Sequence, residues 1–161
     1  MPTTPDRRQF IAAAGGLTLA SATSLPEAFA LPDDADDKWY TPLAKKPRVA
    51  AIFSEFRFRS HAFNLLENFL GPRLFRGRRR PPLVEIVSLY ADQFPDNDLA
   101  REVSRRFDIP LYASIEEALY RGRSRIAVDG VLAIVEHGDY PTNELGQKLY
   151  PRKEFFDRAV D

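Results

Sequence analysis

The sequence predicts an α/β fold in which one parallel sheet carries helices on both faces. Three observations support this. Short aliphatic runs recur at residues 48–53, 83–90, 109–112 and 131–135. Segments with helical spacing of apolar residues separate them, and turn or capping residues mark the junctions. Runs of continuous apolar character are typical of strands buried on both sides. Strands that alternate with helices join through right-handed crossovers, which makes the sheet parallel.

Composition sets the bounds. The chain has 161 residues, enough for one ordinary domain, and 44% of them are hydrophobic, enough for a sizeable core. Lys plus Arg equals Asp plus Glu at 23 each, so the net charge is zero. That balance argues against a dedicated nucleic-acid binder. There is no Cys, which removes disulfides, thiolate metal sites and a Cys nucleophile. Two His residues, His61 and His137, are too few for a multi-His zinc site.

Residues 1–30 read as a targeting segment. Arg7, Arg8, Gln9, Phe10 and Ile11 resemble the twin-arginine export signal, and residues 11–22 are mildly apolar. That stretch is too short and too rich in Ala, Gly and Thr to span a membrane. Two Ala-x-Ala cleavage sites follow, at residues 20–22 and 28–30, and Pro26 favours the second. Export by the twin-arginine machinery to the periplasm or beyond is expected. Residues 31–47 read as a linker, with Asp33, Asp34, Asp36, Asp37 and three prolines.

The domain proper is expected over residues 48–161. Residues 48–53 form the first strand. Ala62, Leu65, Leu66, Phe69 and Leu70 then mark an amphipathic helix, with Ser60 as its cap and Gly71-Pro72 at its end. Residues 73–82 contain Arg76, Arg78, Arg79 and Arg80 and read as a solvated basic insertion, because aromatic residues are not interleaved beyond Phe75. Residues 83–90 form the second strand. Asp96 or Asn97 is expected to cap the next helix, whose apolar face is Leu99, Val103 and Phe107. Residues 109–112 make a short third strand. Ser114 and Glu117 form a capping box for a short helix ending at Gly122. The fourth strand follows at 131–135. A last helix is expected within residues 142–161, with Phe155, Phe156 and Val160 as its apolar edge.

Several stretches together resemble the Gfo/Idh/MocA oxidoreductases. These are Val84 to Ser88 with an acidic residue at Asp92, then Arg106-Phe107-Asp108-Ile109-Pro110, Ser114-Ile115-Glu116-Glu117-Ala118-Leu119 and Val128-Asp129-Gly130-Val131. The likeness covers residues 48–161 and implies a Rossmann-like sheet in the order 3-2-1-4. It also implies an N-terminal nucleotide-binding domain of an NAD(P)-dependent enzyme acting on a sugar or polyol, homo-oligomeric at full length. The candidate cofactor contacts are Ser54, Arg57, Arg59 and Asp92. Asp92 lies where the family places an acid for the ribose, although a turn or helix-entry Asp reads the same way.

Two departures accompany the likeness. Where the family has Gly-x-Gly-x-x-Gly, this chain reads Ser54-Glu55-Phe56-Arg57-Phe58-Arg59. Glycines let the backbone approach a pyrophosphate; Phe and Arg crowd that approach, and Glu55 opposes any contact by Arg57 or Arg59. The fifth strand, the Glu-Lys-Pro segment and the second domain are also missing, and neither Lys148 nor Lys153 replaces the catalytic Lys. This points to a fragment or a reduced module.

The densest reactive cluster is Glu136-His137-Gly138-Asp139, just beyond the fourth strand. Open α/β sheets bind ligands at that edge. His137 with Glu136 or Asp139 makes a candidate acid/base pair, the carboxylate orienting the imidazole, or a partial metal-ligand set. His61 is expected to meet His137, because strands one and four are neighbours. Three functions follow: a small-molecule oxidoreductase domain, a ligand-binding module without dinucleotide, or an acid/base or metal-assisted enzyme using residues 136–139.

Overall fold

A computed structural model describes residues 43–160. The targeting segment and residues 31–42 of the linker lie outside the described residues. The elements run β1 (Arg48–Phe53), α1 (His61–Leu70), β2 (Arg73–Phe75), β3 (Arg78–Arg80), β4 (Glu85–Ala91), α2 (Ala100–Phe107), β5 (Leu111–Tyr112), α3 (Ile115–Tyr120), β6 (Gly130–Ile134) and α4 (Arg152–Val160).

The main sheet is parallel and four-stranded, in the order β5-β4-β1-β6. Numbered by core strands, that is the expected 3-2-1-4. It is a Rossmann-like sheet flanked by helices. β1 lies inside it, paired to β4 on one side and β6 on the other. Its side chains alternate between two cores. Ala51 and Phe53 meet Ala62 and Leu66 of α1 and Ala100 of α2. Ala50 and Ile52 meet Ile115, Ala118 and Leu119 of α3 and Phe155 of α4. A strand buried on both faces needs apolar residues at every position, which is why RVAAIF shows no period of two. The register slips between Val49 and Ala50, leaving Val87 as an extra residue on β4. Beyond that bulge, Leu89 and Ala91 face the α1–α2 core while Tyr90 faces the α3–α4 core.

The expected caps of α1 and α3 form. The Ser60 hydroxyl accepts from the Phe63 amide at 3.2 Å, and that of Ser114 from the Glu117 amide at 3.1 Å. Glu117 reaches back to the amide of Ala113 at 3.1 Å, one residue before the cap. At α2 the cap differs from expectation. Its N-cap position is Leu99, without a side-chain cap bond, and Asp98 just before it, not Asp96 or Asn97, accepts from the Ala100 amide at 3.1 Å, because the helix starts later than the cap signal implied.

Two further expectations change. The basic insertion is an antiparallel hairpin, β2 against β3, with Phe75 opposite Arg78. Its two-residue turn, Arg76 and Gly77, has φ of 51° and 74°. Positive φ at both central positions matches the twist of flanking strands. At α4, Phe155 alone of the expected edge is buried; Phe156 and Val160 are 63% and 62% exposed. Phe155 packs on Tyr90 at 5.8 Å between ring centroids, and Ala159, one turn on, shares its face. Among the described residues no helix is long and apolar enough to cross a membrane.

Candidate functional site

The carboxyl ends of β1, β4 and β6 meet at one edge. The ladder continues past the strands themselves. The Ser54 amide donates to Ile134 O at 3.2 Å, the Asp92 amide to Phe53 O at 3.0 Å and the Gln93 amide to Ser54 O at 2.7 Å. Three loops are thereby laced together, those starting at residues 54, 92 and 135.

The turn after β1 is packed, not open. Ser54, Glu55 and Phe56 are all buried. Phe56 inserts between Phe53 and Phe63, with centroids at 5.3 and 5.9 Å. Its carbonyl accepts from the Leu99 amide at 2.7 Å. The carboxylate of Glu55 accepts from Arg57 Nε at 2.6 Å, so Glu55 holds Arg57 instead of merely opposing it. The first turn of α1 is capped internally, since Ser60 Oγ serves Phe63 and lies 3.4 Å from the Arg57 amide. A pyrophosphate needs close backbone approach and helix-terminal N–H groups turned toward it. A buried carboxylate, the buried ring of Phe56 and an internal cap do not fit a dinucleotide held in that manner.

Beside this turn lies a cluster of three nitrogen side chains. The rings of His61, at the start of α1, and His137, past β6, stack with centroids 4.8 Å apart and planes 17° from parallel. Arg57 Nη2 is 3.5 Å from His137 Nδ1. A guanidinium only donates, so Nδ1 accepts there and the ring proton is assigned to Nε2. The backbone amide of His137 donates to Ser54 Oγ at 3.3 Å. Burial, then the charge of Arg57, then His61 lower the pKa of His137, against opposing pulls from Glu55 and Glu136. The balance of these effects favours the neutral imidazole.

The expected carboxylate–imidazole pair does not form. Glu136 pairs with Arg152 Nη2 of α4 at 2.8 Å. The side chain of Asp139 is fully exposed, 3.9 Å from Lys148 Nζ. Successive residues of an extended chain face opposite ways, so Glu136 meets α4 while His137 meets α1. Among the described residues no group of three or more His, Cys, Asp or Glu is arranged to hold a metal ion.

Asp92 is engaged by tyrosines. It accepts from Tyr90 Oη at 3.0 Å and from Tyr140 Oη at 2.7 Å, one on each carboxylate oxygen. Burial first, then the Asp92 charge and hydrogen bond, push Tyr90 up to about 12; Tyr140 rises for the same reasons. Gln93 clamps the same loop from the side, accepting from the Asp139 amide at 2.8 Å and donating to its carbonyl at 3.1 Å.

Of the four candidate cofactor contacts, the structure brings Ser54 and Arg57 onto His137, and Asp92 onto Tyr140 of the same loop. Arg59 stays on the exposed rim, its guanidinium over the Phe58 ring at 5.2 Å. Glu55, Gln93, Tyr90, Tyr140 and Arg152 complete the edge. Of these the sequence marks only Glu55 as part of the site, as a charge opposing the arginines. Position past a strand end was the available signal for Gln93, and spacing of two from Asp92 for Tyr90; nothing local marked Tyr140. No family model, no curated protein and no solved structure matches this chain.

Proposed function

We propose that this chain is a Rossmann-like small-molecule-binding domain that works at the carboxyl edge of its sheet through Arg57, His61 and His137. The convergence of those three side chains, beside a turn filled by Glu55 and Phe56, carries the reading. Loop ends at such an edge are where open α/β sheets bind ligands. The neutral His137 offers a donor at Nε2, and Arg57 is oriented by a buried carboxylate.

The resemblance to Gfo/Idh/MocA oxidoreductases makes NAD(P)-dependent oxidation of a sugar or polyol the second reading. The sheet order and the acid at the end of the second core strand support it. The filled turn and the two tyrosines on Asp92 weigh against it, so the binding module without dinucleotide stands first. Export through the twin-arginine route belongs to either reading and rests on Arg7, Arg8 and the cleavage sites after them.

Titration with NADH and NADPH, followed by nicotinamide fluorescence, separates the two. The module reading expects no saturable enhancement. Saturable enhancement that is lost in Asp92→Asn would overturn it and restore the dinucleotide.

A further inference from the structure

We infer that the Arg57–His61–His137 cluster takes a ligand bearing a carboxylate or phosphate oxyanion, and that binding brings a proton onto the imidazole pair. The inference rests on the site reading given above and names its ligand class.

The arrangement of donors comes first. Glu55 accepts from Arg57 Nε at 2.6 Å, which fixes the guanidinium plane and leaves the terminal nitrogens for other partners. One of these, Nη2, makes only a long contact of 3.5 Å with His137 Nδ1. A guanidinium edge of this kind matches the two oxygens of a carboxylate or phosphate. His137 adds its Nε2 proton, and the exposed ring of His61 lies against it at 4.8 Å. Donors from a turn, a helix and a strand-end loop thus gather on one spot.

Charge decides the coupling. The groups facing His137 are Glu55 and Arg57 from the turn after β1, His61 from α1, and Glu136 of its own loop, which is committed to Arg152. Glu55 cancels the charge of Arg57 without covering its terminal nitrogens. While the His137 ring is neutral it offers an incoming oxyanion a donor but no charge. Protonating one imidazole supplies that charge. In the empty site the same proton would face Arg57 and the stacked ring. An oxyanion removes this penalty, so each event favours the other.

The test uses the 161-residue chain with labelled histidines, titrated in separate arms with inorganic phosphate and with malonate at constant ionic strength. Histidine ring signals are followed by NMR at about pH 6 and about pH 8. The expected result is a saturable shift of the His61 and His137 signals with at least one anion. Binding should tighten as pH falls, by up to about tenfold per pH unit at the steepest point. Which arm responds identifies the source as phosphate or carboxylate. Arg57→Gln should abolish the shift, and His137→Gln should leave a weaker, less pH-dependent one. No shift in either arm, a pH-independent affinity, or full binding by Arg57→Gln overturns the inference. Silent anion arms together with silent NADH would refute the oxyanion alone and leave the edge site for an uncharged ligand. Saturable NADH binding that is lost in Asp92→Asn would instead strike the site reading itself.

Discussion

The imidazoles of His61 and His137 lie face to face, 4.8 Å apart, joining the first helix to the loop after the last core strand. This contact has a pH consequence for stability. The folded pKa of His137 is lowered, chiefly by burial and then by Arg57 and His61. The unfolded chain therefore binds a proton more readily than the folded one near the ordinary histidine pKa. Stability is complete above about 6.5 and falls as the pH drops through that value toward the lower folded pKa. Urea midpoints measured from about pH 8 to about pH 5 should decline, and His137→Gln should flatten the decline. An unchanged slope in that variant would show that other groups carry it.

Much of this was legible in the residues. Continuous apolar runs marked the strands because both faces of β1 and β4 are covered. Ser60 and Ser114 marked helix starts because their hydroxyls compete for nearby amides. The meeting of His61 and His137 followed from strand order, since both lie past the ends of neighbouring strands. What failed depended on contacts distant in sequence or on weak local signals. The turn at Arg76 and Gly77 lacks the Asn-Gly pair that usually announces a hairpin. Glu136 and Asp139 were natural partners for His137 by proximity in sequence, but chain alternation sent Glu136 to Arg152. The Tyr140 bond to Asp92 is set by the path of the loop after residue 135, which no periodicity records, whereas Tyr90 shares a face with Asp92 two residues on.

That loop path depends on Gly138. Its φ is 126°, a region side chains rarely adopt, and a Cβ there would stand 2.6 Å from Tyr140 Cε2 and 3.0 Å from Gln93 Oε1. Gly138→Ala should cost roughly 1–3 kcal/mol in denaturant unfolding. Its characteristic effect should be local. The Asp139 amide, now held by Gln93 at 2.8 Å, should exchange with solvent faster than amides of β1. Wild-type protection at Asp139 in the variant would mean that the loop accommodates the methyl group.

Asp92 is the polar centre of the same edge. Asp92→Asn keeps an acceptor for one tyrosine but turns an NH2 toward the other hydroxyl. The second hydroxyl must then accept instead of donate, and the loss of charge assistance in both bonds should lower stability by about 1–3 kcal/mol at neutral pH. Alkaline titration of the phenols by ultraviolet absorbance gives an independent reading. Tyr90, pushed up to about 12, should move down in the variant yet stay above 10, because burial is the largest cause of its shift and remains. A titration curve identical to wild type would contradict the assigned hydrogen bonds.

The two helices on the opposite face are joined by Arg158 and Glu116, which meet through two bonds of 2.7 Å each. The hydrogen bonds from Arg158 hold the Glu116 carboxyl down at about 2. Their side chains remain 33% and 48% exposed, so solvent screening keeps the net contribution far below what the shift alone suggests, at about 0.5–1 kcal/mol. The two-pronged geometry places it toward the upper end of that range. A double-mutant cycle with Glu116→Gln and Arg158→Met should return a coupling of this size at neutral pH. A depressed carboxyl adds stability that is present above its unfolded pKa and lost as pH falls. The coupling should therefore be whole above about 4.5, shrink as the pH falls toward about 2, and weaken in high salt. Coupling that persists undiminished in acid and in salt would mean that α3 and α4 are held at this point by the packing of the side-chain stems, and that the ion pair contributes nothing.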